Sequence, residues 1–126
     1  MRLLLDTHIL LWWLTNDQAL PERADALIVD PANEVSISAI SLWEIGIKAR
    51  LGKLPADVDE VRTAALASGF TPLPFTLDHA AEVARLPDHP RDPFDRARVG
   101  QARFEPMRLI THDQVVAMYG DSILFV

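Results

Sequence analysis

Short apolar runs alternate along the chain with stretches whose apolar residues recur at helical spacing, the pattern of a parallel sheet with helices on its faces. Five runs read as strands: Arg2 to Leu5, Glu34 to Ser38, Phe70 to Phe75, Arg108 to Thr111, and Ser122 to Val126. All are short and several are rich in Leu, Ile or Val, as strands buried on both faces tend to be. The third contains Pro72 and Pro74, which suit a sheet edge better than its centre. Between the strands, helix ends are legible. Ser38 can cap a helix reaching Leu51, with Ile40, Trp43 and Ile47 at helical spacing and Gly52 closing it. Asp57 with Glu60 has the form of a capping box, and Gly69 ends that helix. Asp92 and Pro93 are a cap and first-turn proline for a helix through about Phe104, before Pro106. Thr111 with Gln114 has the form of another capping box, opening a last helix that Gly120 terminates. Leu11, Trp12, Trp13 and Leu14 make a bulky apolar patch on the first helix. Adjacent helical residues point about 100° apart, so one tryptophan is expected in the core and the other is free for a partner.

Composition narrows the possibilities. The chain has 126 residues, 49% of them hydrophobic and 24% charged, with no repeat or linker, so one globular domain over residues 1–126 is expected. There is no cysteine, which excludes a disulfide framework, a thiolate zinc site and a cysteine nucleophile together. Any metal must be held by oxygen or by the four histidines. The apolar start is too short for a signal peptide and no run approaches the roughly 18 residues of a membrane span, so a cytoplasmic location without membrane contact is expected. A net charge of −6 argues against nonspecific coating of nucleic acid, which rests on many phosphate contacts. Local contact stays open: Arg85, Arg91, Arg96, Arg98, Arg103 and Arg108 outweigh Asp88, Asp92, Asp95 and Glu105, and Lys48, Arg50 and Lys53 form a second basic cluster.

In open α/β sheets the functional crevice lies beyond the carboxyl ends of the strands. Four acids are placed to reach it. Asp6 follows the first strand, Asp113 the fourth, Glu44 projects from the helix after the second, and Asp95 sits in the first turn of the helix before the fourth. Singly, Asp6, Asp95 and Asp113 could serve only helix starts, where an anion is stabilising, and Asp92 is most simply a cap. Glu44 lies beside Trp43 and between Ile40 and Ile47, a face where an unpaired carboxylate would be costly. Together, carboxylates in one crevice oppose each other unless a cation sits among them. Oxygen-only ligands favour magnesium or manganese, and such an ion supports phosphodiester hydrolysis.

The motifs that carry these acids resemble a known family. Leu-Leu-Asp-Thr-His at 4–8, Ser-x-x-Ser-Leu-Trp-Glu-Ile at 38–45, His-Pro-Arg-Asp-Pro-Phe-Asp-Arg at 89–96, Gln-Ala at 101–102 and Leu-Ile-Thr-His-Asp at 109–113 are similar, in order, to the PIN-domain ribonucleases of VapC type. The resemblance implies a three-layer α/β/α sandwich around a parallel sheet of about five strands. It implies Mg2+- or Mn2+-dependent cleavage of RNA, with Asp6, Glu44, Asp95 and Asp113 as the catalytic and metal-binding cluster. Asp6 and Asp95 would be the main ligands, with Glu44 and Asp113 completing the shell. It further implies a toxin with a cognate VapB-like antitoxin, and a homodimer.

The chain departs from the family pattern after Asp95, where Arg96, Ala97, Arg98, Val99 and Gly100 replace a mostly aliphatic run. Mid-helix Gly100 costs about 1 kcal/mol relative to alanine, which weakens the expected helix and the aim of Asp95. Arg98 stands where an apolar residue is expected and reads as a snorkelling surface side chain. His8 and His112 flank Asp6 and Asp113 and are secondary candidates, while Thr7, Ser38 and Ser41 could orient carboxylates. Two other readings stay in view. A PIN-like binding module could keep the fold without the activity, and a phosphoacceptor receiver domain also gathers acids at strand ends. The receiver would need a lysine near the end of the last strand, whereas the lysines are at 48 and 53.

Overall fold

Leu3, Leu4 and Leu5 have no side-chain surface left in water, because their strand is the middle of the sheet. The computed structural model describes residues 1–88 and 92–126; His89, Pro90 and Arg91 of the 89–96 motif lie outside the described residues. Strands β1 (Arg2–Leu5), β2 (Glu34–Ser38), β3 (Thr71–Leu73), β4 (Arg108–Thr111) and β5 (Ile123–Phe125) form one parallel sheet in the order β3-β2-β1-β4-β5. Leu4 pairs with Ser36 on one side and Leu109 on the other. The proline-bearing β3 is an edge strand, as expected, and it is shorter than the run at 70–75. Pro74 offers the ladder no N–H, and Phe70 turns into the core instead.

Alternation along the strands divides the interior into two layers. Leu3, Leu5, Val35, Ile37, Ile110 and Leu124 pack on one face, against helices α1 (Thr7–Leu14), α2 (Glu22–Val29), α3 (Ala39–Arg50) and α4 (Val58–Ala67). Leu4, Leu109 and Ile123 pack on the other, against α5 (Leu77–Ala84), α6 (Pro93–Phe104) and α7 (Gln114–Ala117). The result is the expected α/β/α sandwich. Trp13 settles against Phe70, with ring centroids 5.0 Å apart, while Trp12 faces His8 and His112.

The helix ends follow the local chemistry with two exceptions. Ser38, Asp57 and Asp92 cap α3, α4 and α6, and Gly52 and Gly69 take φ of 71° and 84° where their helices end. Thr111 does not cap the last helix: it is still in β4, and Asp113 two residues later accepts the Val115 N–H at 2.8 Å. Helix α5 escaped the sequence pattern because its capping box pairs Thr76 with His79, an imidazole where Glu or Gln is usual.

Gly100 has a packing reason. A Cβ there would lie 2.4 Å from Val83 Cγ2, 3.1 Å from Val83 N and 3.3 Å from His79 O. The propensity lost in α6 is therefore exchanged for close approach of α5, and α6 is continuous from Pro93 to Phe104.

Candidate active site

Three of the four acids singled out by position meet on one guanidinium. Asp6 ends β1 and caps α1, Glu44 sits on the second turn of α3, and Asp95 lies in the first turn of α6. Arg98, one turn after Asp95, reaches between them. Its Nη2 is 3.0 Å from Asp6 Oδ1 and 2.8 Å from Asp95 Oδ1, and its Nη1 is 2.6 Å from Glu44 Oε1. Nη1 also donates to Thr7 Oγ1 at 2.9 Å and to Ser41 Oγ at 3.3 Å. Arg98 is only 1% exposed, among the most buried large side chains of the protein. The expectation of a snorkelling surface arginine is thus corrected: a buried guanidinium is tolerable where several carboxylates surround it, and here three do.

Each carboxylate is held by further bonds. Asp6 accepts from the Thr7 N–H at 2.8 Å and from Thr111 Oγ1 at 2.6 Å. Glu44 accepts from Thr7 Oγ1 at 2.7 Å and from Lys48 Nζ, one turn along α3. Asp92 is a cap, accepting from the Phe94 and Asp95 N–H groups at 2.9 and 3.0 Å. Thr7 therefore orients a carboxylate as expected, Ser41 bonds Arg98 instead, and Ser38 bonds Gln101 at 2.6 Å.

Asp113 is separate. It is exposed and outside the Arg98 network, but with Asp6, His8, Trp12, His112 and Gln114 it lines an open cavity of about 410 Å³. The two histidines bracket Trp12 at centroid distances of 5.8 and 6.0 Å. His112 also stacks on Phe125 at 5.6 Å.

Two of the acids that share Arg98 titrate in opposite directions. Burial pushes the Glu44 carboxyl up, but the Arg98 charge and hydrogen bonds from Lys48, Arg98 and Thr7 outweigh it and hold it at about 2. Burial also pushes Asp95 up, and Asp6 and Asp92 add repulsion that Arg98 does not cancel, leaving it at about 7. The difference is physical: Glu44 has Lys48 in addition to its share of Arg98, while Asp95 has only the shared Arg98 and two like charges nearby. By linkage, Glu44 contributes stability above its ordinary 4.5 that is lost as pH falls toward about 2. Asp95 has the opposite sign, its contribution being present below 3.8 and lost as pH rises through about 7. Metal-free protein should accordingly melt at lower temperature at pH 8 than at pH 5, and Asp95→Asn should flatten that slope. A slope unchanged in the variant would show that Asp95 is not its source.

The arginine-rich stretch is mostly spent inside the fold. Arg96 bonds Pro87 O and Tyr119 Oη, Arg103 bonds Tyr119 O, Arg108 bonds Ile123 O, and Arg85 pairs with Glu82. Arg91 lies outside the described residues. Arg96, Arg103 and Arg108 are thus tied to the fold and do not form a ready-made basic strip for nucleic acid, while Arg85 stays exposed.

The donor set suits a hard divalent cation, since three carboxylates converge on one positive charge and no thiolate competes. The positive charge found there is Arg98, and among the described residues no three His, Asp or Glu side chains already form an open cage for an ion. Sequence reading missed Arg98 and Thr111 as site residues. Thr111 was legible as the last residue of a strand beside Asp6, while Arg98 had the signal of lying one helical turn from Asp95.

A parallel five-stranded sandwich with its acids at the carboxyl ends of the strands is the architecture of PIN domains. The chain belongs to the PIN-domain family, whose pattern matches residues 3–120. Within that family it is of VapC type, being similar to ribonuclease VapC22 of Mycobacterium tuberculosis (strain ATCC 25618 / H37Rv), 30% identical over 113 residues that span 88% of this chain and 86% of that protein. Its fold is like that in VapBC2 from Rickettsia felis bound to a DNA fragment from their promoter, with a TM-score of 0.70 at 15% identity over 100% of this chain and 98% of that one. DNA-bound VapBC from Salmonella typhimurium gives 0.68 at 18% identity, over 100% and 97% of the two chains. Among the described residues no helix is long and apolar enough to cross a membrane.

Proposed function

We propose that this chain is a divalent-metal-dependent endoribonuclease and the toxin half of a toxin–antitoxin pair, acting in the cytoplasm as a single PIN domain over residues 1–126. One observation carries the reading: Asp6, Glu44 and Asp95, from three separate elements, converge on one cation position at the carboxyl end of the sheet. Asp6 and Asp95 would be the main ligands of magnesium or manganese, with Glu44 and Asp113 completing the set. What such an ion supplies when bound is polarisation of a phosphoryl oxygen and activation of water at neutral pH. The chain's own groups do the rest. Thr7 and Thr111 hold the carboxylates of Glu44 and Asp6 in orientation. The rings of His8, Trp12 and His112, in the cavity shared by Asp6 and Asp113, offer a surface on which an unstacked base can lie, which favours single-stranded RNA as substrate.

The similarity to VapC22 and the likeness in fold to toxins solved in VapBC complexes support a VapB-like antitoxin as partner, and a homodimer is part of the same reading. The experiment is cleavage of single-stranded RNA by purified protein. Products should form with magnesium or manganese and not in chelator; equal cleavage in chelator overturns the metal mechanism. Co-purification with the product of the adjoining reading frame tests the antitoxin. The placement of Arg98 also favours a second reading, a PIN-like binding module whose acids are permanently neutralised; such a protein would leave RNA intact under all these conditions.

A further inference from the structure

We infer that Arg98 is the resident counter-cation of the acidic cluster, and that a divalent ion binds this protein only by displacing its guanidinium. The inference rests on reading the cluster as a metal site, and concerns how this chain controls entry to it.

Geometry makes the two cations mutually exclusive. Nη2 of Arg98 bridges Asp6 Oδ1 and Asp95 Oδ1, the oxygens of the two carboxylates best placed as ligands, and Nη1 takes Glu44 Oε1. The second oxygen of Asp6 is occupied by Thr111 Oγ1 and that of Glu44 by Lys48 Nζ. An ion ligated by Asp6 and Asp95 together would stand where Nη2 stands. Charge points the same way. Arg98 and Lys48 already offset two positive charges' worth of the negative potential that would draw an incoming ion.

The guanidinium is also built in and not loosely placed. It is buried, it bonds Thr7 and Ser41 as well as the three acids, and it arises one turn after Asp95 on the same helix. Its Nε finds no partner among the described residues. That orphan is a cost carried by the closed arrangement, which swinging the side chain toward water would relieve. The resting protein is therefore neutralised by its own side chain and poor in metal. Release of Arg98, by metal at sufficient concentration or by a substrate phosphate that attracts the guanidinium, opens the cluster.

A neighbouring guanidinium weakens proton binding to a carboxylate by about one to three pKa units, and an ion competing for the same oxygens should be weakened at least as much, about tenfold or more. Isothermal titration with Mn2+ should then show Arg98→Leu binding at least about tenfold more tightly than the unaltered protein. The variant should also gain more in melting temperature from the ion. Removing Arg98 exposes three carboxylates to one another, so the variant is prepared with metal, then stripped of it and checked for a cooperative melt before titration. The unaltered protein supplies an independent measurement, NMR of the arginine side-chain nitrogens during Mg2+ titration. The Arg98 Nη signals, locked by three carboxylates, should move or broaden in step with binding. Equal Mn2+ affinity in both proteins, or saturation by Mg2+ with unmoved Arg98 signals, overturns the displacement inference and leaves the metal site standing. Absence of binding to either protein at millimolar Mn2+ removes the metal-site reading itself, and the inference with it.

Discussion

Asp6→Asn is expected to lower RNA cleavage by at least about 100-fold, the upper end for residues that merely orient a ligand, while the protein stays folded. Asp6 lies in the central strand's exit turn, where one carboxylate oxygen caps the Thr7 N–H and faces Arg98, and the other meets Thr111 Oγ1. Asparagine keeps an acceptor for Thr7 and Arg98, and its amide can donate to the Thr111 hydroxyl, which reverses its role without moving. What asparagine lacks is the negative charge that a cation would require. The comparison is kcat/KM on single-stranded RNA in magnesium, alongside thermal melting. A folded variant that cleaves at the original rate would take Asp6 out of the mechanism.

The second large effect falls on stability, at Gly100. Leucine there should lower stability by about 3 kcal/mol, the upper end for overpacking, less about 1 kcal/mol recovered from better helix propensity. The net corresponds to a fall in melting temperature of several degrees in a domain of this size. Two of the three atoms a Cβ would press on, Val83 N and His79 O, are backbone of α5 and cannot rotate aside. The third is a methyl of a β-branched side chain with few rotamers to choose from. Thermal denaturation decides the point, and a variant as stable as the original would mean that α5 and α6 can separate at no cost. Because α6 also carries Asp95 and Arg98, a displaced helix should disturb the cluster too.

The elements that local chemistry defines were legible. Leu3, Leu4 and Leu5 read as a buried strand, Pro72 and Pro74 suit an edge better than a centre, and Ser38, Asp57 and Asp92 announce helix starts through side chains that bond their own backbone. Asp6 and Glu44 were legible for a related reason, since each follows a strand's carboxyl end closely and in a parallel sheet those ends share one side; Asp95 was legible from its place in the first turn of the helix that leads into β4. Thr76 with His79 was missed because the reciprocal bond uses an imidazole in place of a carboxylate or amide.

What the sequence by itself determined is therefore the five strands, the helices with a recognisable cap, the edge position of β3 and the gathering of acids at one end, all of which follow from backbone chemistry and residue periodicity. Only the tertiary structure decided where the long cationic side chains go. An arginine has four rotatable bonds and an apolar stem, so its place in sequence is compatible with water, a carbonyl or a carboxylate alike. The seating of α6 against α5 at Gly100 and against α3 settles that Arg98 points inward to Asp6, Glu44 and Asp95, while Arg96, Arg103 and Arg108 end on backbone carbonyls.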